Sequence, residues 1–307
     1  MNKGIWVLGS SNIDVTYRVK EIPLKGYTIQ AKSCITATGG KGANQAVAAA
    51  HWGIDVGFIG AVGDDPNGKV LLEALKSRGV NVSHVDSIKS VPSGNAVIFV
   101  DDQGSNCITV YPGANQHVPV VMFPDFKEGD ILTAQLEVNL DAVEYYFKLA
   151  KQKKVYTVLN PSPYIPLSRE LLKNTDVIVV NETEAYELGG VFVDGPETAK
   201  VCADKIMRQG PDVVIVTLGK MGVIILTTEN VFHIPEYCVD VVDTQGAGDA
   251  FLGTFAAKLA QGDSLEDSAL FANMIASLSV TKMGSTQVSM PDLKDVAGRN
   301  PGKYIKI

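Results

Sequence analysis

The stretch VVDTQGAGDAFLGTFAAKLA, residues 241–260, joins a glycine-rich turn to a run in which apolar residues recur at the spacing of a helix with one buried face. The first turn of a helix leaves N–H groups unpaired and carries partial positive charge. Gly246, Ala247 and Gly248 have little or no side chain, so their N–H groups can surround a phosphate or a developing oxyanion. The stretch therefore predicts an anion-binding turn at the start of a helix.

Asp249 ends this turn, and the local sequence leaves two interpretations of it open. An aspartate is easily kept ionised at the start of a helix, yet its charge would repel a bound phosphate. The arrangement is explained if the carboxylate takes a proton from a hydroxyl group that attacks the phosphate. In the alternative, Asp249 only caps the helix, since aspartate is a favoured N-cap residue.

The composition limits the class of protein and its partners. Of the 307 residues, 46% are hydrophobic and 20% charged, which is typical of a soluble globular chain with one large domain and room for a smaller addition. The net charge of −7 and the absence of any Lys/Arg block argue against nucleic acid or an anionic membrane surface as a partner.

The cysteines and histidines favour a reducing, cytoplasmic setting. The chain has four of each, widely separated, without zinc-ligand spacing or a C-x-x-C pair. No segment approaches 18 consecutive apolar residues, and the N-terminal residues lack the apolar stretch of a signal peptide. We expect a cytoplasmic protein.

The order of patterns along the chain predicts an α/β fold. Short apolar runs, beginning with residues 5–8, alternate with helical stretches such as KVLLEALKSRG. Strands that are apolar throughout are typical of a parallel sheet covered by helices on both faces. The later strands are predicted in VGFIGAVG, VYTVL, DVIVV, DVVIV and GVIILT.

Two other segments predict a small second sheet. Alternating stretches such as TYRVKEI and YTIQAKS, within 14–36, and the pattern of 94–111 read as exposed antiparallel strands. We expect the two segments to pair as a β-sheet lid inserted into one domain, 1–307, which shows no linker and no internal repeat.

Two further glycine loops compete for the phosphate-binding role. Residues 63–70, GDDPNGKV, fit G-x-x-x-x-G-K but end in valine where magnesium needs Ser or Thr, so we expect this loop to cap a helix that starts near Asn67. Residues 39–42, GGKG, lack dinucleotide spacing, and no G-x-G-x-x-G follows the first strand, which disfavours an oxidoreductase.

Seven motifs in order carry a resemblance to the PfkB family of sugar kinases, the ribokinase family, over essentially the whole chain. They are LGSSNIDV, TGGKGANQAVAAA, VGDDPNG, NPSP, NETEAYEL, TLGKMGV and DTQGAGDAF. The resemblance implies a three-layer ribokinase-like fold with a mostly parallel central sheet, helices on both faces and a small β-sheet lid. Within the family, GGKGANQAVAAA, YPGAN and AQLEV are most similar to the ribokinases.

The resemblance also implies a reaction, the transfer of the γ-phosphoryl group of ATP to the 5-hydroxyl of D-ribose. Asp249 matches the general base, and Gly246, Ala247 and Gly248 match the anion hole. Glu137, inside the apolar stretch ILTAQLEV, is also a candidate from the residues alone, since a buried carboxylate needs a partner. The implied sugar-binding residues are Asn12, Asp14, Gly40, Lys41, Asn44, Glu137 and Asp249.

The nucleotide and cation sites follow from the same resemblance. Glu184 is expected to act on Mg²⁺ through metal-bound water. The implied ATP-binding residues are Asn181, Glu184, Thr217, Gly219, Gly222, Gly248 and Asn273. The positions that match an activating K⁺ site are Asp243, Gln245, Ser279, Lys282, Gly284 and Ser289. Two features depart from the family pattern: residues 284–291 are one residue longer, and Gln245 is bulkier than the small residue expected there.

Alternatives remain open for the substrate and the assembly. The same chemistry could act on deoxyribose, another sugar or a nucleoside, and a catalytically silent sugar-binding protein could share the fold. A pure binding protein has no need for Asp249 beside an intact Gly-Ala-Gly turn. The resemblance also implies a homodimer through the β-sheet lid, with a monomer as the alternative.

Overall fold

A computed structural model describes residues 3–120, 124–281 and 290–307. Fourteen strands are found in these residues and form two sheets. The strands are β1 (Ile5–Leu8), β2 (Asn12–Arg18), β3 (Ser33–Gly39), β4 (Val56–Gly63), β5 (Val80–Ile88), β6 (Gly94–Val100), β7 (Asn106–Tyr111), β8 (Ile131–Ala134), β9 (Tyr156–Leu159), β10 (Val177–Asn181), β11 (Val213–Thr217), β12 (Val223–Thr227), β13 (Val231–Ile234) and β14 (Ile305–Lys306).

Nine α-helices accompany the strands within the same described ranges. They are α1 (Lys41–Ala50), α2 (Pro66–Ser77), α3 (Leu140–Gln152), α4 (Arg169–Lys173), α5 (Glu182–Gly189), α6 (Pro196–Met207), α7 (Ala247–Gln261), α8 (Leu265–Ser279) and α9 (Leu293–Val296). Among the described residues, no helix combines the length and apolar character needed to cross a membrane.

The large sheet has ten strands in the order β14-β13-β12-β11-β10-β9-β8-β1-β4-β5. From β5 to β11 every neighbouring pair is parallel, and β12, β13 and β14 add an antiparallel edge. The carboxyl ends of the parallel strands therefore meet at one edge of the sheet, where ligands of such sheets bind. The predicted fold class is confirmed.

The hydrophobic core lies on both faces of this sheet. Along β10, Ile178 and Val180 pack with the buried Phe147 of α3, whereas Val177 and Val179 pack on the opposite side with α7. Burial of both side-chain rows explains why this strand reads as a continuous apolar run without alternation.

Helices α1 and α7 lie very close together. A Cβ atom at Gly253 would stand 2.5 Å from Ala48 Cβ and 2.5 Å from the Gln45 backbone oxygen, so this crossing has room for glycine alone. The contact brings the first turn of α1 next to the start of α7, the two helix ends that carry most of the predicted sugar-binding residues.

The small sheet has the order β3-β2-β6-β7. Segments 14–36 and 94–111 pair as predicted, through β2 and β6, although this pair is parallel, with Asn12 opposite Gly94. The expectation of exposed strands was wrong for β2, because Ile13 packs against Val62 and Leu71 on one face while Asp14 is buried on the other.

The strand predicted in YTIQAKS was also wrong. Residues 27–32 are not in a strand, and β3 begins at Ser33, opposite Arg18. Because β2 ends at Arg18, residues 27–32 lie beyond its end and have no strand to pair with. That the small sheet is an insertion into a single domain remains a prediction.

The loop with the false phosphate-binding pattern caps a helix, as predicted. Asp65 precedes α2 and accepts a hydrogen bond from the Gly68 N–H at 2.7 Å. Its carboxylate also accepts from the N–H of Ser93 at 2.8 Å and from the Ser93 hydroxyl at 2.7 Å. Asp65 is therefore committed to joining α2 to the segment before β6.

We predict that Gly253→Ala lowers the free energy of unfolding by about 1 to 2 kcal/mol, because the added methyl group forces α1 and α7 apart even though alanine favours a helix. Urea unfolding followed by circular dichroism measures the change. Gly195→Ala is the control, since its backbone is extended (φ 176°) and a Cβ atom there would stand 4.0 Å from Met221 Sδ. Equal stability of Gly253→Ala and the parent chain would contradict the prediction.

Candidate active site

The glycine-rich turn and Asp249 start helix α7. Gly246 adopts the left-handed conformation (φ 75°) that glycine tolerates best, and α7 begins at Ala247. Gly246 is the N-cap of this helix, so Asp249 lies inside the first turn rather than at the capping position. The Asp249 side chain accepts hydrogen bonds from Asn44 Nδ2 at 2.9 Å and from Gln45 Nε2 at 3.1 Å. The capping interpretation is therefore wrong, and the carboxylate is held by α1.

Burial dominates the electrostatics of Asp249, which is 7% exposed. The pKa of Asp249 is raised mainly because burial removes water from the carboxylate. The positive charge of Lys41 and the amides of Asn44 and Gln45 lower this pKa, and the negative charge of Glu137 raises it further. Burial thus opposes the ionisation that was expected for an aspartate at the start of a helix.

Asn12, Asp14 and Gly40 lie together where β2 and β3 meet the start of α1. Asn12 is buried, and its Oδ1 accepts from Asn115 Nδ2 at 2.7 Å. Gly40 has φ 96°, and a Cβ atom there would stand 2.9 Å from the Ser10 carbonyl oxygen. Both the conformation and the space at this position require glycine.

Glu137 is half-buried and lies against the first turn of α1. Its Oε2 accepts from the Ser10 hydroxyl and, at 3.1 Å, from the Lys41 N–H. The buried carboxylate expected from the sequence is thus less enclosed, but it has the partners it was expected to need. Burial first, and the Glu137 charge second, raise the pKa of Asp14 to about 7.

The structure therefore brings the predicted sugar-binding residues into one polar cluster, named here the sugar-side cluster. Its members are Asn12, Asp14, Gly40, Lys41, Asn44, Glu137 and Asp249.

Sequence reasoning missed four polar residues of this region. Ser10 and Asn115 orient Glu137 and Asn12, and the fully buried Gln45 and Gln135 continue inward from Asp249. One signal could have found Gln135, because it lies in the same apolar stretch ILTAQLEV that drew attention to Glu137. Gln45 stands beside Asn44, and nothing in the sequence shows that both amides reach the same carboxylate.

A cleft of about 240 Å³ lies beside the start of α7. Apolar side chains form part of its wall, including Tyr237, Val239 and Phe251. Flat apolar walls with a few polar groups are what a heterocyclic base needs. Five of the predicted nucleotide residues line the cleft: Thr217, Gly219, Gly222, Gly248 and Asn273.

Asn273 has a second task at this cleft. Its Nδ2 donates to the Pro235 carbonyl oxygen at 3.1 Å, which fixes the segment leading to Tyr237. The amide therefore shapes the cleft wall.

Asn181 and Glu184 are not among the residues that line the cleft, although Asn181 is paired with the cleft residue Thr217 in the sheet. They form a capping box at the start of α5, in which the Glu184 N–H donates to Asn181 Oδ1 at 2.9 Å and the Asn181 N–H donates to Glu184 Oε2 at 3.1 Å. This box accounts for both side chains structurally, and their contact with metal-bound water stays a prediction.

The predicted cation positions are partly described. Asp243 Oδ1 accepts from the Gln245 N–H at 3.0 Å, and the Asp243 N–H donates to the Val280 carbonyl oxygen at 3.1 Å. Ser279 is buried at the end of α8, beside Val280. Segment 243–245 thus lies against the end of α8, whereas Lys282, Gly284 and Ser289 lie outside the described residues.

Comparison with known proteins agrees with the family resemblance found in the sequence motifs. The family model described as pfkB family carbohydrate kinase matches residues 2–293. The chain is 37% identical over 302 residues to a ribokinase of Staphylococcus aureus, covering 96% of this chain and 99% of the relative. It is 35% identical to a deoxyribokinase of Salmonella typhi, with 94% and 96% covered.

Solved structures agree. A ribokinase of Arabidopsis thaliana, solved in complex with ribose and ATP, superposes with a TM-score of 0.89 at 33% identity, with 96% of this chain and 98% of that one covered. Since the family model and these relatives match nearly end to end, the chain belongs to the pfkB family of carbohydrate kinases, the ribokinase family, whose members are phosphotransferases with an alcohol group as acceptor.

Proposed function

We propose that this protein transfers the γ-phosphoryl group of ATP to the 5-hydroxyl of D-ribose. The observation that carries the proposal is the position of Asp249, whose carboxylate belongs to the sugar-side cluster while its helix begins at the cleft lined by Gly248. The similarity to the Arabidopsis ribokinase, a complex with ribose and ATP, supports ribose as the acceptor and ATP as the donor.

The sugar-side cluster has the chemistry that a pentose requires. Carboxylates and amides can pair with neighbouring hydroxyl groups both as acceptors and as donors. The Lys41 ammonium adds a positive charge close to Asp249, and the Lys41 backbone N–H donates to Glu137. These side chains would hold the sugar with its primary hydroxyl toward Asp249.

In the proposed step, Asp249 takes the proton of the 5-hydroxyl as that oxygen bonds to the γ-phosphorus and the bond to ADP breaks. Negative charge on the transferred group would be stabilised by the N–H groups of Gly246, Ala247 and Gly248 at the start of α7. Preorganised donors of this type lower an enzymatic barrier by about 3 to 4 kcal/mol each.

The cleft fits the nucleotide of this proposal, with its apolar wall for the base and Gly248 toward the phosphates. Mg²⁺, which would neutralise phosphate charge, would be bound through water near Asn181 and Glu184. K⁺ would be held mainly by backbone carbonyl groups of the six cation positions named from the sequence. A cytoplasmic location is part of the same proposal.

We predict that Asp249→Asn lowers turnover about 10²- to 10⁴-fold, because the amide cannot accept the proton. The measurement is ADP release with ATP, Mg²⁺ and K⁺ and with ribose, 2-deoxyribose, hexoses or nucleosides as acceptor, together with ribose binding by calorimetry. We expect ribose to be the preferred acceptor and the variant still to bind it.

Asp212→Asn is the matched control, since Asp212 is exposed just before β11, at the opposite edge of the sheet. Near-normal turnover of Asp249→Asn would refute its role as the base. A preference for 2-deoxyribose would mean that the substrate is deoxyribose, with the same proposed reaction. A chain that binds ribose without releasing ADP would be a catalytically silent binding protein.

Asp14 gives a pH-dependent prediction. An aspartate in an unfolded chain has a pKa of about 3.8, whereas burial raises the pKa of Asp14 in the folded protein to about 7. The folded state therefore loses stability as the pH rises from about 4 to 7 and stays destabilised above that range. Asp14→Asn should stabilise the chain at pH 8 by up to about 4 kcal/mol, since one pKa unit corresponds to about 1.4 kcal/mol.

Urea unfolding at pH 4.5 and pH 8 measures this effect, which should fall to about 1 kcal/mol at the lower pH, where an unfolded aspartate is already mostly ionised. Asp212→Asn, measured at both pH values, is the control for removing an exposed carboxylate. The same Asp14→Asn variant should bind ribose more weakly. Both oxygens of the carboxylate can accept a hydrogen bond from a sugar hydroxyl group, whereas asparagine replaces one of them with an NH₂ group, which only donates. A stability difference independent of pH would show that Asp14 is ionised in the folded protein.

We also propose that the protein is a homodimer whose two chains contact each other through the small sheet. Cross-strand pairing places Ile35, Thr16, Ile98 and Ile108 in one row, on the face that also carries Asp14. Ile35 and Ile108 are about half exposed, and Val110 in the next row is similarly exposed. An exposed apolar face of this kind is typical of an interface.

We predict that Ile108→Lys converts the dimer to a monomer, because a charge would be buried at the interface. Sedimentation velocity at micromolar concentration measures the change. Thr109→Lys, the next residue on the same edge strand but on the opposite face, should leave the dimer intact. A parent chain that sediments as a monomer would refute the proposal.

A further inference from the structure

Two buried glutamines extend inward from Asp249. Gln45 on α1 donates its Nε2 to Asp249 Oδ1 at 3.1 Å, and Gln135, directly after β8, donates its Nε2 to Gln45 Oε1. Both side chains are completely buried. Two buried amides that connect to one carboxylate need a physical explanation. Apolar side chains would fill the same space without the free-energy cost of removing polar groups from water.

The hydrogen bonds in this line can point in one direction only. An ionised carboxylate accepts hydrogen bonds and donates none, so Gln45 must turn its NH₂ group toward Asp249. Its oxygen is then the acceptor for Gln135, whose NH₂ group must face Gln45. The orientation of both amides is thus fixed by the charge of Asp249.

The line ends on an unpaired oxygen. Among the described residues, Gln135 Oε1 has no hydrogen-bond partner. It lies against Gly9, where any Cβ atom would collide with it. The Gln135 amide is thus directed at Gln45 while its own carbonyl group stays without a partner in the described part of the chain, an arrangement that costs free energy and calls for an explanation.

We propose, on the basis of the function proposed above, that Gln45 and Gln135 are positioning residues that lock Asp249 Oδ1 and leave Oδ2 to take the proton of the sugar hydroxyl. The two carboxylate oxygens differ in their surroundings. Oδ1 meets the completely buried Gln45, whereas Oδ2 meets Asn44, which is half-buried and belongs to the sugar-side cluster. The proton-accepting oxygen is therefore the one on the open side.

The same line helps to keep the base ionised. Burial raises the pKa of Asp249, and Glu137 raises it further. The positive charge of Lys41 and the side-chain amides of Asn44 and Gln45 lower this pKa. Loss of the Gln45 amide should therefore raise the pKa of Asp249 and move the ionisation of the base to higher pH.

The test compares kcat between pH 5.5 and 9 for the parent chain, Gln45→Met, Gln135→Met and the double variant, with ribose and ATP. Methionine keeps the volume and removes the amide. We expect Gln45→Met to shift the acidic limb of the kcat profile to higher pH by about one to two units, because loss of one hydrogen bond to a charged group raises a carboxyl pKa by about that amount. kcat should fall at pH 7 while the KM values for ribose and ATP change little.

Gln135→Met should shift the limb in the same direction by less, and the double variant should match Gln45→Met, because Gln135 acts through Gln45. Gln209→Met is the matched control: it removes side-chain hydrogen bonds to the carbonyl oxygens of Leu188 on α5 and Lys205 on α6, and it should leave the profile unchanged. If Gln45→Met does not fold, Gln135→Met alone tests the same line one link further from the substrate.

Unchanged pH profiles in both glutamine variants, with Asp249→Asn inactive, would overturn this inference and leave the proposed function intact. A lower melting temperature with an unshifted profile would also overturn it, since that is the effect of a structural role alone. If Asp249→Asn retains turnover, the proposed function itself is wrong, whatever the glutamine variants do.

Discussion

The close approach of α1 to α7 is the constraint on which the rest of the site depends. Gly253 lets the two helices touch, and this contact is what allows Asn44 and Gln45 to reach Asp249 from a different element. A wider crossing would leave the carboxylate buried without hydrogen-bond donors, which is the costlier state. Helix packing and the placement of the candidate base are therefore one requirement, met by one glycine.

Burial of the carboxylates sets the second constraint. Removing Asp14 and Asp249 from water raises the pKa of each, and Glu137 adds negative charge beside both. A stable core would avoid such a cluster, so its presence is a sign of function. The amides and Lys41 offset part of the cost at Asp249, and hydroxyl groups of a bound sugar would offset it at Asp14.

The sequence was sufficient for the fold class, and its predicted sugar-binding residues lie together in the structure, but it did not predict Gln45, Gln135 or the contacts among these side chains. Apolar runs and glycine turns identified β1, β10 and the start of α7, because periodicity and turn chemistry are local. The sequence pattern wrongly predicted a strand at residues 27–32. Their alternation is also a local signal, but no strand of the described residues lies beside them for pairing. The pairing of Gln45 with Asp249 joins residues 204 positions apart, which only the packing of two helices determines.

The small sheet connects this site to the rest of the molecule through the two faces of β2. Ile13 attaches the strand to the main domain at Leu71, and Asp14 on the opposite face belongs to the sugar-side cluster. The same face continues into the exposed Ile35 and Ile108. A second chain seated there would therefore exclude water from the sugar side, where water would compete with the sugar hydroxyl for the phosphoryl group. Dimerisation and protection of the reaction would then be consequences of the same sheet face.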